Sequence, residues 1–508
     1  MFQTGAERAL ADELRSVRPD RLSAYEAALP GARAAVLARL WRGLVYDPLP
    51  WTGRRAATAD GGTAVHLADG RRISGPAADP WATGDLTGPL ELAGRAYGHP
   101  AELLLALGVP RGAQFAEELA GSVACLALAR TAPLPHGAPR TSWEWEQRVV
   151  DGHPYHPGCR SRPGFDAAEQ LAYAPEQGQS VRLPLVAVTD PQLSGAWPKE
   201  LREDGTVLVP VHPWQAAHVL DRPTRGPELT AHPLMALRTL AADPAGPLGD
   251  LHVKTALSAR LTSSVRDISA YSVANAGVLS EFVSELVQKL PARWAGRLHI
   301  TRTVAAVGAP APDLAAVLRE SPDRYADASA GESVVPVAAL GALVPAAGRT
   351  AWLVSYAELV LGVGLGLLGL GVALEAHGQN LLLVVDSAGR PLRLVYRDLA
   401  DIRISPARLA RHGIAVPELT ARQQTDEPEA LRRKLFGSLV TGALGPLAGD
   451  ARTLGEVLTA ATRELPPGED LRALLTEPLP AKALTLMRLS PPGTGDRWAR
   501  LPNPLTSP

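Results

Sequence analysis

The chain has 508 residues, with 51 Lys+Arg against 52 Asp+Glu for a formal net charge of −1, and is 46% hydrophobic and 20% charged. This composition supports more than one folded core and excludes a disordered chain. The balanced charge excludes nucleic-acid binding driven by a global basic field, and the 47 glycines and 46 prolines follow no period, so they read as turns and loops.

Residues 1–140 read as a mostly helical lobe. Leu10, Leu14, Val17, Leu22, Tyr25 and Leu29 recur at helical spacing between Ala6 and Arg42, punctuated by Pro19 and Pro30. Glu7, Asp12 and Glu13 fall where a secretory leader would be apolar, so the N-terminus does not read as a signal peptide. Residues 65–75 predict a hairpin closed by Asp69-Gly70, Leu103–Ala129 predicts a helix, and residues 131–140 form a Pro-rich joint. Only two cysteines occur, Cys125 and Cys159. They are too few for a disulfide framework, a four-cysteine zinc site or a cysteine-ligated iron–sulfur cluster, and they fit a reducing cytoplasm.

Residues 141–404 read as a central α/β unit. Val181–Thr189 and Thr206–His212 are short β-like runs, and residues 222–250 read as a long Pro/Gly-rich connection. Leu251–Leu290 reads as strand, turn and helix. Leu359–Leu374 is sixteen uncharged residues with five glycines; at about 24 Å as a helix it is too short to span a bilayer, so it reads as a buried core helix. Leu381–Val385 and Leu392–Tyr396 predict a hairpin. Residues 405–508 return to helix and end in a Pro-rich tail. The fold class is α+β, with a mixed middle between two helical lobes.

Five segments can carry chemistry. In Gly152-His153-Pro154-Tyr155-His156-Pro157-Gly158-Cys159-Arg160-Ser161-Arg162, a proline after each histidine favours polyproline II geometry, which places His153, His156, Cys159 and Arg162 on one face suited to an anion. A zinc site here lacks a fourth ligand. In Val211-His212-Pro213-Trp214-Gln215, a histidine at a strand end either faces a site or satisfies the core. From Val253 to Ser269, alternation places Lys254, Ser258, Arg260 and Thr262 on a polar face, and Thr262-Ser263-Ser264 offers an N-cap to the helix that follows. Glu375-Ala376-His377-Gly378-Gln379-Asn380 crowds polar groups where an apolar run ends, an arrangement that is costly without partners or a ligand. Tyr396-Arg397-Asp398-Leu399-Ala400-Asp401 adds carboxylates that, with Glu375, supply hard oxygen ligands for Mg²⁺. Gly364-x-Gly366-x-x-Gly369 has the letters of a dinucleotide fingerprint but no strand leading into it, and no Walker loop occurs.

Taken in order, His153-Pro-x-His156-Pro, His212-Pro-Trp-Gln215, Lys254-x₇-Thr262-Ser-x-x-Arg266, Glu375-Ala-His-Gly-Gln-Asn380, Arg397-Asp398 and the C-terminal Lys482-Ala-Leu-Thr-Leu-Met-Arg488 resemble the peptide-synthetase-independent siderophore synthetases of the IucA/IucC family. The resemblance runs from about residue 150 to the end. It implies a cupped hand, with a mixed α/β palm between helical fingers and thumb. It also implies an ATP- and Mg²⁺-dependent ligase that adenylates citrate or a related acid, condenses it with an amine or alcohol and releases AMP. Membrane and nucleic-acid partners are not implied; a homodimer is.

Carried over by position, Lys254, Ser263, Ser264 and Arg266 surround the nucleotide phosphates. Thr262, Arg266, His377 and Gln379 contact the carboxylate, while His153, His156, Arg160 and Arg162 face the α-phosphate and pyrophosphate. Glu375, Asn380 and Asp398 handle Mg²⁺ and ribose or phosphate, with Lys254, Arg266 and His377 as the catalytic set. Two departures stand out. Arg160 replaces the family's lysine, and Asp267 follows Arg266, which predicts a competing ion pair that weakens the hold on a tricarboxylate. Three alternatives remain open: an acyl-phosphate ligase releasing ADP, a family member recruited to another natural product, and a siderophore-binding protein without catalysis.

Overall fold

The computed structural model describes residues 2–133, 137–262, 264–419, 423–491, 493 and 495–506. Ser263 and the side chain of Ser264 lie outside the described set, so the phosphate contacts expected of them do too. The first lobe packs the helices Gly5–Val17, Leu22–Tyr46 and Gly112–Ala129 around Leu14, Leu37, Leu40, Phe115 and Leu119. Pro19 opens a short turn between the first two helices, whereas the second runs on through Pro30. The predicted hairpin is present as Thr63–Leu67 paired with Arg72–Gly75. It belongs to a five-stranded antiparallel sheet spanning Thr52–Tyr97, of which the sequence reading predicts only this hairpin in a lobe that is mostly helical. Its flanking strands are three to six residues long and partly polar, such as Thr-Gly-Arg-Arg-Ala-Ala at Thr52–Ala57; period-2 patterning needs longer apolar alternation to stand out.

The middle of the chain builds a nine-stranded antiparallel sheet. Its central order places Ala315–Arg319, His252–Thr255, Thr239–Ala242, Thr224–Pro233 and Val181–Val188 side by side. The connection expected over 222–250 therefore contains two strands. A bulge between Arg225 and Leu229 and an exposed first half hide the longer one. The strand Leu257–Leu261 turns back on Ser264–Arg266 as a hairpin, with Leu257, Ala259 and Leu261 buried as alternation predicts. The helix that follows starts only at Ala270, capped by Ser269. The N-cap expected of Thr262-Ser263-Ser264 is thus corrected for its described parts: Thr262 follows the strand Leu257–Leu261, the Ser264 backbone pairs with Leu261, and Ser263 lies outside the described residues.

A second sheet sets Leu298–Ile300 parallel to Pro391–Tyr396, which pairs antiparallel with Leu381–Val385 and through it with Ser333–Pro336. Against it lies the helix Arg349–Leu370, long and apolar enough to cross a membrane by composition, yet buried in the largest core alongside Leu435, Leu439 and Leu458. Gly362 explains one of its glycines: a Cβ there would sit 2.0 Å from the Trp294 ring. The C-terminal segment returns to the first lobe, where Asp47 Oδ2 accepts the Thr485 and Leu486 amides at 2.9 and 3.1 Å. Arg488 also pairs with Glu118.

Gly362→Ala is expected to destabilise the protein by about 1–3 kcal/mol through overpacking, read as a lower thermal midpoint. An unchanged midpoint would contradict the close helix–Trp294 contact.

Candidate active site

Two adjoining cavities, of about 720 and 560 Å³, open between the sheets and the C-terminal segment. The larger is lined by Lys254, Arg266, His377 and Asp398 together, along with His153, Arg160, Arg162, Thr262, Glu375, Gln379 and Asn380. His156 lines the smaller one, and His153, Thr262, Arg266, Glu375, His377, Gln379, Asp401 and Gly442 form the wall that both share. Segments distant in sequence therefore converge on one place.

At its centre Lys254 Nζ donates to Asp398 Oδ2 at 2.6 Å. Burial pushes the Lys254 ammonium down to about 8 against the pull of Asp398. Burial acts to raise the Asp398 carboxyl, but Lys254, Arg319 and Arg238 outweigh it and hold that group well below the usual carboxylate range. Arg238 and Arg319 also line the larger cavity, each pushed down to about 10 by burial. Arg319 is only 6% exposed and its Nε has no hydrogen-bond partner among the described residues. Three cations thus face one carboxylate, leaving a surplus of positive charge.

Glu375 accepts from Lys482 at 2.9 Å and lies 3.2 Å from Lys434. Burial raises its carboxyl, yet Lys482, Lys434 and His377 together bring it down to about 2. Both carboxylates expected as magnesium ligands are therefore already neutralised by ammonium groups. No group of three or more His, Cys, Asp or Glu suited to a metal exists among the described residues. This donor set does not fit a protein-held Mg²⁺. The Tyr396 hydroxyl ties the two segments together: it accepts from the Glu375 amide and donates to the Asp398 carbonyl, both at 3.2 Å. Asn380 Nδ2 donates to the Glu375 carbonyl at 3.3 Å.

The three histidines share one pattern. His153 Nδ1 accepts the Tyr155 and His156 amides, His156 Nδ1 the Gly158 amide and His377 Nδ1 the Gln379 amide, at 2.9–3.2 Å. Burial lowers the pKa of all three, His156 to about 3. A neutral imidazole whose Nδ1 accepts carries its proton on Nε2, so each ring presents an N–H donor.

The shared polyproline II face expected for His153, His156, Cys159 and Arg162 does not form. The loop coils through turns, closing Ser161 N–H on the Gly158 carbonyl and Phe165 N–H on that of Arg162. Cys159 leaves the histidines for the first lobe's core beside Ser122. Arg160 and Arg162 instead share the buried Glu176, at 3.6 and 2.8 Å.

His212 turns out to be structural. It is fully buried, packs against Phe165 and Tyr173, and accepts the Trp214 amide at 3.2 Å. Gln215 receives the Ser258 amide and donates to Ser258 Oγ, anchoring the hairpin strand. The Arg266–Asp267 pair expected from their adjacency is also corrected: Asp267 Oδ1 accepts from Ser258 Oγ at 2.7 Å. Arg266 Nη2 reaches the Leu261 carbonyl and Thr262 Oγ1, both at 2.9 Å, so its remaining donors are not claimed by Asp267.

Thr262, Asp398, Leu237 and Arg111, with φ of +56°, +70°, +64° and +60°, all line these cavities. For a β-branched residue such as Thr262 this is a strained conformation.

The IucA / IucC family profile matches residues 141–342, and a profile described as ferric iron reductase FhuF-like transporter matches residues 350–496. The chain is 25% identical over 322 residues to the citryl-spermidine/3,4-dihydroxybenzoyl-citryl-spermidine:spermidine ligase of Bacillus anthracis, covering 51% of each protein.

Over residues 141–342 the chain matches the IucA / IucC family.

It is also 26% identical over 486 residues to protein y4xN of Sinorhizobium fredii, covering 76% of this chain and 75% of that one. The alignments thus span three quarters of one curated relative and about half of the other. The fold matches the ATP-bound aerobactin synthetase IucA of Klebsiella pneumoniae with a TM-score of 0.70 at 19% identity, covering 93% of this chain and 99% of that one. The α+β reading with a mixed palm accords with this family fold.

Glu176→Gln is expected to leave Arg160 and Arg162 buried without a counter-charge, at a cost of about 3–5 kcal/mol. Burial raises the Glu176 carboxyl, but Arg160 and Arg162 bring it down to about 2. Its stabilising contribution is therefore complete above the ordinary carboxylate value of 4.5 and lost as pH falls through about 2. Chemical denaturation of both proteins at neutral and acid pH checks this: the difference between them should shrink across that window.

Proposed function

We propose that this protein is a ligase that joins a carboxylic acid to an amine or alcohol at the expense of ATP, in siderophore or related natural-product biosynthesis. The observation that carries the reading is the positive surplus around Asp398, next to a wall of neutral N–H donors. Two anions that repel each other need such a place to meet.

In the first step a carboxylate oxygen attacks the α-phosphorus of ATP. An O–P bond forms, the bond to the β-phosphate oxygen breaks, and pyrophosphate leaves. In the second step the amine nitrogen attacks the acyl carbon, the C–N bond forms, the C–O bond to AMP breaks, and the nitrogen loses a proton.

In this assignment Lys254, Arg238 and Arg319 hold the triphosphate, with His153, Arg160 and Arg162 at its pyrophosphate end and Asn380 and Asp398 beside it. Arg266, Thr262, His377 and Gln379 take the carboxylate on the shared wall. His377 acts as a donor to developing negative charge. Its Nδ1 is already occupied and its Nε2 is protonated, which disfavours a general-base role. The strained Thr262 keeps its hydroxyl on Arg266. No step is assigned to Mg²⁺; a metal arriving with the nucleotide would supply further charge neutralisation at the phosphates. The lobe divisions at residues 140 and 404, and a cytoplasmic location, belong to the same reading.

A second reading, siderophore binding without ligation, draws on the FhuF-like match over 350–496. Neither cysteine falls in that range.

The test is carboxylate-dependent exchange of labelled pyrophosphate into ATP, across citrate, 2-oxoglutarate, succinate and citrate monoamides. Exchange with at least one of them, abolished in Arg266→Ala, is expected. No exchange with any of them, alongside tight siderophore binding, would favour the second reading. With Lys254 titrating near 8, kcat/KM for ATP should fall above about pH 8, because the free enzyme loses a cation as pH rises. Lys254→Arg should move that limb to higher pH.

A further inference from the structure

The smaller cavity adjoins the larger through the residues they share, and its charge pattern is unlike that of the larger one. Glu375 and Asp496, two of the carboxylates lining it, are taken up by Lys482 and Lys434. Three other groups in its lining are left over. Arg260 lines it half-buried, on the polar face of the Leu257–Leu261 strand, and makes no hydrogen bond or ion pair with a described residue. Arg42, 6% exposed, donates Nε to the Pro80 carbonyl at 2.7 Å and stacks over Tyr155, but its Nη2 is buried without a partner. His156, 2% exposed, has Nδ1 bound by the Gly158 amide and a buried Nε2 with no partner. That Nε2 carries the proton and so is an unused donor.

Buried donors without acceptors are costly, and several lining one cavity mark a place for an anion. The shared wall carries Arg266 and also a carboxylate. Asp401 lines both cavities, and its carboxylate makes no hydrogen bond or ion pair with a described residue. The chamber is therefore dipolar: a free carboxylate where the two cavities meet, and unused cationic and N–H donors within.

We propose that the smaller cavity is the acceptor site and that its acceptor is an amine bearing its own carboxylate, an amino-acid-type substrate instead of a polyamine. Its ammonium sits at Asp401, next to the activated acyl group. Its carboxylate is held by Arg260, Arg42 and His156. A polyamine would bring a second positive charge to that cationic end, and like charges there repel. The inference rests on the ligase reading, and its test separates the two.

The full-length protein is first assayed for carboxylate-dependent pyrophosphate exchange, then for product formation by mass spectrometry. The amine pairs differ only in one carboxylate: ornithine against 1,4-diaminobutane, lysine against 1,5-diaminopentane, and 2,3-diaminopropionate against ethylenediamine. The carboxylate-bearing member is expected to have at least a tenfold higher kcat/KM in the pair that reacts best. Arg260→Gln is expected to raise KM for that amine about tenfold, the loss of one charge-assisted hydrogen bond, and to narrow the preference within the pair. Exchange with equal or better use of the decarboxylated amine would overturn the inference while the ligase reading stands. A rise in the KM for the acid during exchange in Arg260→Gln, matching that for the amine, would assign the donors to the acid and also overturn it. Absence of exchange with every acid would remove the ligase reading itself.

Discussion

The ion pair between Lys254 and Asp398 is where the two sheets of the middle region meet. Lys254 comes from the strand His252–Thr255 of the nine-stranded sheet, and Asp398 follows the strand Pro391–Tyr396 of the four-stranded one. In water such a contact contributes little; removed from water it is strong only where the surroundings satisfy both charges. Here they do so unevenly. Arg238 and Arg319 approach the same carboxylate, so the fold holds an excess of positive charge that it does not need for its own neutrality. In the proposed ligase reading an arriving polyanion is the complement of that charge.

The rest of the site follows from that constraint. A pocket crowded with arginines cannot also hold protonated histidines cheaply, and burial keeps His153, His156 and His377 neutral. Backbone amides then fix each ring with its N–H outward. Strain gathers in the same region: Thr262, after the strand Leu257–Leu261, lines both cavities and Asp398, after its strand, lines the larger, each in a left-handed conformation. Lys482 reaches Glu375 from the C-terminal segment, which Asp47 and Glu118 fasten to the first lobe. The first lobe thereby contributes to the site without a motif of its own.

How much of this is legible in the sequence depends on whether the signal is local. The polar runs at 375–380, 396–401 and 254–266 announce themselves because charged and amide side chains next to apolar strands and helices demand an explanation, and those runs do converge. Arg238 and Arg319 are invisible by the same logic. One sits in a turn inside a Pro/Gly-rich stretch and the other at the end of an apolar strand, and only the pairing of Ala315–Arg319 with His252–Thr255 brings the second beside Lys254. Glu176 and Glu146 are also set by tertiary contacts, with Arg162 and Arg397 respectively. Local rules also misled in places. The prolines after His153 and His156 suggested an extended face where the chain coils. Thr262-Ser263-Ser264 looked like a helix cap because the pairing of Leu261 with Ser264 depends on a partner strand that no cap rule considers. Adjacency suggested that Asp267 would pair with Arg266, yet Ser258, across the hairpin, takes its carboxylate.

The most direct test of the central claim follows the oxygen that joins the two anions. An accepted acid labelled with ¹⁸O in its carboxyl groups is turned over with unlabelled ATP and acceptor, and the nucleotide and phosphate products are analysed by mass spectrometry. Attack of the carboxylate on the α-phosphorus in this pocket predicts one ¹⁸O in the phosphate of AMP and none in pyrophosphate. Label in inorganic phosphate with ADP as the nucleotide product, or no transfer of label at all, would contradict it.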